Sequence, residues 1–176
     1  SLLAYVRLAQ GLALDRLFVT PITMRDGILA EMAARRAGTG LFAKEILQSA
    51  LRLARKYHTD EAHVHHVATL SGRLFRALTD EHLLPSRHEL VLKIAALLHD
   101  VGLYVSNRSH HKHSMYLIQN SDLFGLGVRD IELIAQIARY HRKAVPRPTH
   151  EEYSRLDRET RVVMAKLAAI LRVADA

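Results

Sequence analysis

Apolar residues recur at helical spacing along most of the chain. Ile46, Leu47, Ala50, Leu51, Leu53 and Ala54 repeat every three or four positions, which predicts a helix from Leu41 to Tyr57. Asp60 reads as the N-cap of a second helix that runs to about Leu78 and turns Val64, Val67, Leu74 and Phe75 inward. Ser86-Arg87-His88-Glu89 has the form of a capping box. It opens a run, Leu90 to Leu98, so apolar that it has to be buried nearly all round. Further helices are predicted from His111 to Asn120, from about Arg129 to His141 and from Arg158 to Ala176. Loops marked by Gly125, Gly127, Pro146 and Pro148 separate them, and Thr149 with Glu152 predicts a short capped turn. Upstream, Leu2 to Gln10 and Ile22 to Arg36 read as helices, the latter broken by Gly38 and Gly40. Leu14 to Thr20, closed by Pro21, is the one convincing strand. The predicted class is all-α, with one short strand near the N-terminus.

Composition narrows the picture. With 49% of its 176 residues apolar, the chain can build a domain core, and disorder is excluded. It has no cysteine, so disulfides and thiolate metal sites are excluded, which agrees with a reducing cytoplasm. No apolar run reaches the roughly 18 residues of a membrane span, and no signal peptide is visible. The start at Ser1 and the still-periodic end at Ala176 both read as cuts from something longer. A formal charge of +7 favours anionic partners such as phosphates or nucleotides. Nucleic acid is disfavoured: there is no Trp, there are only four Phe, and no glycine-aromatic alternation or helix-turn-helix pattern occurs.

The chain carries 12 histidines, several of them clustered. The doublet His99-Asp100 ends the most apolar helix, with Gly102 following to permit a turn. Buried polar groups need partners, and a cation is one. Neutral imidazole nitrogens and carboxylate oxygens are metal ligands. His63 lies four residues before Val67, on the core face of its helix, and Asp175 ends the last helix after Leu171-Arg172-Val173-Ala174. His113 and His141 lie on the intervening helices. His65, His66, His110 and His111 read as solvated, and His58, His82, His88 and His150 as surface residues.

The string H-x3-V-A, then H-D-x-G, then a distal Asp resembles the HD superfamily of metal-dependent phosphohydrolases. That resemblance implies a divalent ion (Mg, Mn, Fe, Ni, Co or Zn) held by His63, His99, Asp100 and Asp175, with His99 and Asp100 at the catalytic centre. In two-metal relatives, histidines placed like His113 and His141 hold a second ion. Phosphodiesterases with the extended pattern carry Lys after the glycine. Leu103 stands there instead, which argues against a cyclic-dinucleotide phosphodiesterase.

A closer resemblance covers almost the whole chain. FVTPITMRDGILAEM, Tyr57-His58 with Asp60, AALLHDVGLYVS, HHKHSMYLIQNSDLFG, ARYHRK and LAAILRVADA match in order the C-terminal region of the exopolyphosphatase/guanosine pentaphosphate phosphohydrolase family. The resemblance implies an HD-domain-like helical bundle over 38–176. Residues 1–37 would be a short strand and helix left from a preceding actin-like domain. In full-length members the actin-like domains carry phosphohydrolysis, and they are absent here. The ligand implied is polyphosphate or a guanosine polyphosphate, with Arg108, Lys112, Arg139, Arg142 and Lys143 as phosphate-binding candidates and a homodimer as a further expectation. Two functions stay open: an HD-type metal-dependent phosphohydrolase, or a non-catalytic phosphate-binding or dimerisation module with a vestigial metal site.

Overall fold

A helix as short as Arg87–Leu98 is marginal in water by itself, so its stability has to come from packing. In the computed structural model, which describes residues 6–7, 10–12, 40–142 and 145–176, this helix is the centre of the bundle. The main helices are α1 (Gly40–Lys56), α2 (Glu61–Ala77), α3 (Thr79–His82), α4 (Arg87–Leu98), α5 (His110–Gln119), α6 (Val128–Arg139), α7 (Glu151–Ser154) and α8 (Arg158–Ala174), with a 3₁₀ turn at Val101–Tyr104. Val91, Leu92 and the unbroken run Ile94–Leu98 are buried on α4. Four partners cover the helix: α2 most extensively, then α6, α1 and α8. α5 packs on α6 and on the 3₁₀ turn.

No strand occurs among the described residues, and the domain is all-α. Backbone contacts divide the chain into two compact units, Ser1–Ala37 and Gly38–Ala176. Within the first, residues 6–7 and 10–11 are helical. The strand expected at Leu14 to Thr20 and the helix expected at Ile22 to Arg36 lie outside the described residues. No helix among those described is long and apolar enough to cross a membrane.

The two N-terminal signals fare differently. Asp60 caps α2 by accepting from the His63 amide at 3.1 Å. The capping box at Ser86 does not form: Ser86 is itself helical, with φ −55°, and its side chain caps nothing. Glu89 is drawn away instead, pairing with Arg76 and, at 2.6 Å, with Lys93. Two ion pairs compete for the carboxylate that the box requires. Asp157 provides the cap of α8, accepting from the Thr160 amide at 2.8 Å. The short turn near Thr149 is α7, with His150 at its N-cap.

Candidate metal centre

α4 ends at Leu98, and the chain then turns through Asp100 (φ −105°) into the 3₁₀ turn. Adjacent helical residues point about 100° apart. Loss of the helix at this step lets His99 and Asp100 face the same cluster. Gly102 contributes close packing rather than an unusual backbone angle. A Cβ there would stand 2.1 Å from the His110 carbonyl oxygen and 2.4 Å from the Ser114 amide. Into that space Ser114 donates from Oγ to the His99 carbonyl at 2.6 Å and accepts from the Gly102 amide at 2.9 Å. The start of α5 is thereby fastened to the peptide of His99.

Six side chains converge. His99 Nε2 lies 3.2 Å from Asp175 Oδ1 and 3.4 Å from Asp100 Oδ2. His63 Nε2 lies 3.2 Å from the same Asp175 oxygen and 3.9 Å from Asp100 Oδ2. On the other side, Asp100 Oδ1 is 3.4 Å from His110 Nε2 and 3.8 Å from His141 Nε2. The two imidazole nitrogens of His110 and His141 are 3.3 Å apart. Asp100 therefore spans two lobes, one with each oxygen.

Tautomers follow from chemistry, because a carbonyl only accepts. His99 Nδ1 lies 2.7 Å from the Ala96 carbonyl, His141 Nδ1 2.6 Å from that of Ala138 and His110 Nδ1 3.2 Å from that of Asn107. Each Nδ1 must donate, so each neutral ring turns a lone pair on Nε2 toward the cluster. Backbone carbonyls commonly orient metal-ligating histidines in this way. The result is unsatisfied without a cation. His99 is fully buried, and its Nε2 has no hydrogen-bond partner. His110 and His141 present lone pairs to one another.

The carboxylates and imidazoles of the cluster shift one another's titration. Burial pushes His99 down, but Asp175, Asp100 and the Ala96 carbonyl outweigh it, so its pKa is raised. Burial also opposes ionisation of Asp175, yet the contacts with His99, His141 and His63 hold its pKa below the usual value. His141 is pushed down to about 3 by burial and by the neighbouring charge of His99. It stays neutral, as a ligand must.

Among the described residues, the groupings that could hold an ion are His63, His99 and Asp175, and His99, Asp100 and His141. Separations of 3.2–3.4 Å between donor atoms match two ligands each about 2.1 Å from one ion. His113 is half-buried on α5 and in neither grouping. His110, expected to be solvated, is 4% exposed and occupies the second lobe. His110, Ser114 and Ile118, four residues apart, lie with Met115 on the buried side of α5, which His113 misses; the sequence pattern does not fix that register. His82 and His88, expected at the surface, are buried too. His82 bridges the Phe75 carbonyl at 2.8 Å and the Leu84 amide at 2.9 Å, whereas desolvation lowers the pKa of His88. Of the basic candidates, Arg108, Lys112 and Arg142 are exposed and Arg139 is buried. Lys143 lies outside the described residues. A separate cleft of about 750 Å³, lined in part by Arg87, His88, Arg129, Asp130, Glu132 and Glu159, contains none of the six cluster residues.

Residues 47–175 match the family model described as Ppx/GppA phosphatase, domain III. The chain belongs to the Ppx/GppA phosphatase family. Among its relatives is a guanosine-5'-triphosphate,3'-diphosphate pyrophosphatase of Vibrio parahaemolyticus, 29% identical over 133 residues. That alignment covers 75% of this chain and 26% of the relative. A protein of the same name from Pseudoalteromonas atlantica is 23% identical over 170 residues, covering 96% of this chain and 32% of its own. The chain thus spans about a quarter to a third of the length of these curated relatives. All six converging residues lie within the stretch that matches Ppx/GppA domain III.

Proposed function

We propose that this domain is an HD-type divalent-metal centre acting on a phosphate-rich anion. The proposed ion ligands are His63, His99, Asp100 and Asp175, with His110 and His141 completing a second site across Asp100. The observation that carries this reading is the buried, unpaired Nε2 of His99, held beside two carboxylates with its Nδ1 already committed to a carbonyl. Four imidazoles and two carboxylates form a nitrogen-rich set, which suits Mn, Fe, Co, Ni or Zn better than Mg. When bound, such an ion supplies Lewis acidity toward a phosphoryl oxygen.

The protein's own part is positional. The cap at Asp60 fixes the first turn of α2 and with it His63. Ser114 holds the His99 peptide. The exposed cations Arg108, Lys112 and Arg142 attract the anion, for which polyphosphate and a guanosine polyphosphate are the candidates. The names of the relatives support a phosphohydrolase acting on a guanosine polyphosphate. A second reading keeps the centre as a phosphate-binding module without turnover. It is favoured by the small share of the named pyrophosphatases that the chain spans.

Metal content of the purified chain by plasma mass spectrometry tests the proposal, with a His99→Ala, Asp100→Ala double variant beside it. One or two equivalents in the native chain and none in the variant are expected. Hydrolysis of pyrophosphate and of a generic phosphodiester by the loaded protein, lost in the variant, then selects the enzymatic reading; loading without turnover selects the binding module. Equal emptiness of both proteins after soaking with Mn, Ni and Zn would sink the metal centre.

A further inference from the structure

The cleft of about 750 Å³ lies at the opposite end of the bundle from the metal centre. Arg87 and His88 open α4, Arg129 and Asp130 open α6, and Glu159 and Thr160 open α8, and all of them line the cleft. The same three helices lead at their other ends to His99, His141 and Asp175. α4, with 12 residues, holds its two ends about 18 Å apart. The cleft is therefore a second place on the domain. Its floor is apolar, built in part from the buried Ile46, Val91, Leu133 and Leu156. His88 interrupts that lining. It is 6% exposed, and its Nδ1 has no hydrogen-bond partner. The Pro85 carbonyl, three residues before it, accepts from the His88 amide at 3.0 Å. Buried polar groups are nearly always paired, so an orphan in the wall of a cleft points to a ligand.

The rim limits the chemistry of that ligand, because it carries both signs. Arg87 and Arg129 are exposed, as are Asp130 and Glu159, and Glu132 is half-buried. None of these five forms an ion pair with a described residue. Opposite charges that line one cleft without meeting are free to take a ligand that carries both. A carboxylate suits Arg87 and Arg129, an ammonium suits Asp130, Glu132 and Glu159, and an apolar body suits the floor. Clefts of this size, apolar with a few polar groups, are the usual form of a small-molecule site. We infer that the cleft binds a small zwitterion with an apolar body, an amino acid or a short peptide, with His88 as the hydrogen-bonding group in its wall. The inference does not rest on the metal-centre reading.

Nuclear magnetic resonance titration of the whole isotope-labelled chain, stripped of metal with EDTA, tests this. The probes are L-leucine, L-leucyl-L-leucine, isocaproate and isopentylamine; the last two are leucine without its ammonium and without its carboxylate. Comparison of leucine with the dipeptide separates a free amino acid from a peptide. The tighter of the two zwitterions is expected to bind about tenfold or more tighter than either single-charge analogue, the worth of one hydrogen bond to a charged group. It should shift the resonances of His88 and Leu133 and leave those of Ser114, at the metal centre, in place. The Glu132→Gln, Glu159→Gln double variant should lose about tenfold for the zwitterion and none for isocaproate. Arg87→Gln with Arg129→Gln should lose as much for the zwitterion and none for isopentylamine. The comparison of probes on the native chain decides the matter even if a variant fails to fold, as read by circular dichroism. No shift at His88 with any probe at tens of millimolar overturns the site. Equal affinity for the zwitterions and their single-charge analogues overturns it as well, as does native-like zwitterion binding by both folded double variants.

Discussion

At Gly102 the site depends on a missing atom. The His110 carbonyl and the Ser114 amide occupy the volume that any Cβ would need, and both are backbone groups. They cannot rotate away, so α5 would have to lift from the 3₁₀ turn. Gly102→Ala should therefore destabilise the domain by about 1–3 kcal/mol, read as a lower urea midpoint. Because α5 carries His110, metal occupancy should fall with it; an unchanged midpoint would refute the close-packing role. Residue types announced much of this centre, since a His-Asp doublet at the end of a buried helix needs compensation. They were less able to say which histidine of His110, His111 and His113 turns inward. That depends on the starting register of α5, and a shift of one residue there rotates each side chain by about 100°.

At the scale of the helix, two capping patterns with equal claims in the sequence behave differently. Asp60 makes its bond, whereas Ser86 makes none because it is itself helical and its carbonyl takes the Glu89 amide; the Glu89 carboxylate is engaged by Arg76 and Lys93. Asp60→Ala should cost about 1 kcal/mol, while Ser86→Ala should fall within about 0.5 kcal/mol of the native protein. Paired thermal melts of the two variants measure the difference, and similar losses would contradict the capping assignment. The long helices of the described domain were readable from apolar spacing, whereas the short α3 (Thr79–His82) and the 3₁₀ turn were not. The start of α4 was not settled by its local pattern, because Arg76 comes from α2 and enters only when the two helices pack.

For the molecule as a whole, the cluster concentrates two carboxylates and four imidazoles where α2, α4, α5, α6 and α8 meet or end. An ion that binds the folded state alone must stabilise all five against unfolding together. At a free concentration near one hundred times its Kd, that linkage is worth about 2.7 kcal/mol. Added Mn or Zn should raise the Tm, EDTA should reverse the rise, and the His99→Ala, Asp100→Ala variant should not respond. An equal rise in that variant would place the ion elsewhere.

The sequence by itself determined the class of the fold, the central place of Arg87–Leu98 and the pairing of His99 with Asp100, Asp175 and His63. These follow from apolar period and from the cost of polar groups at the ends of buried helices. Ordered motifs were enough to mark the family. Tertiary structure alone decided that His110 joins His141, that Arg139 is buried rather than solvated, and that Gly102 serves a contact twelve residues downstream with Ser114. The physical reason is common to all three. Each outcome depends on where α5 and α6 sit against the end of α4, and one-dimensional spacing does not encode a distance between helices.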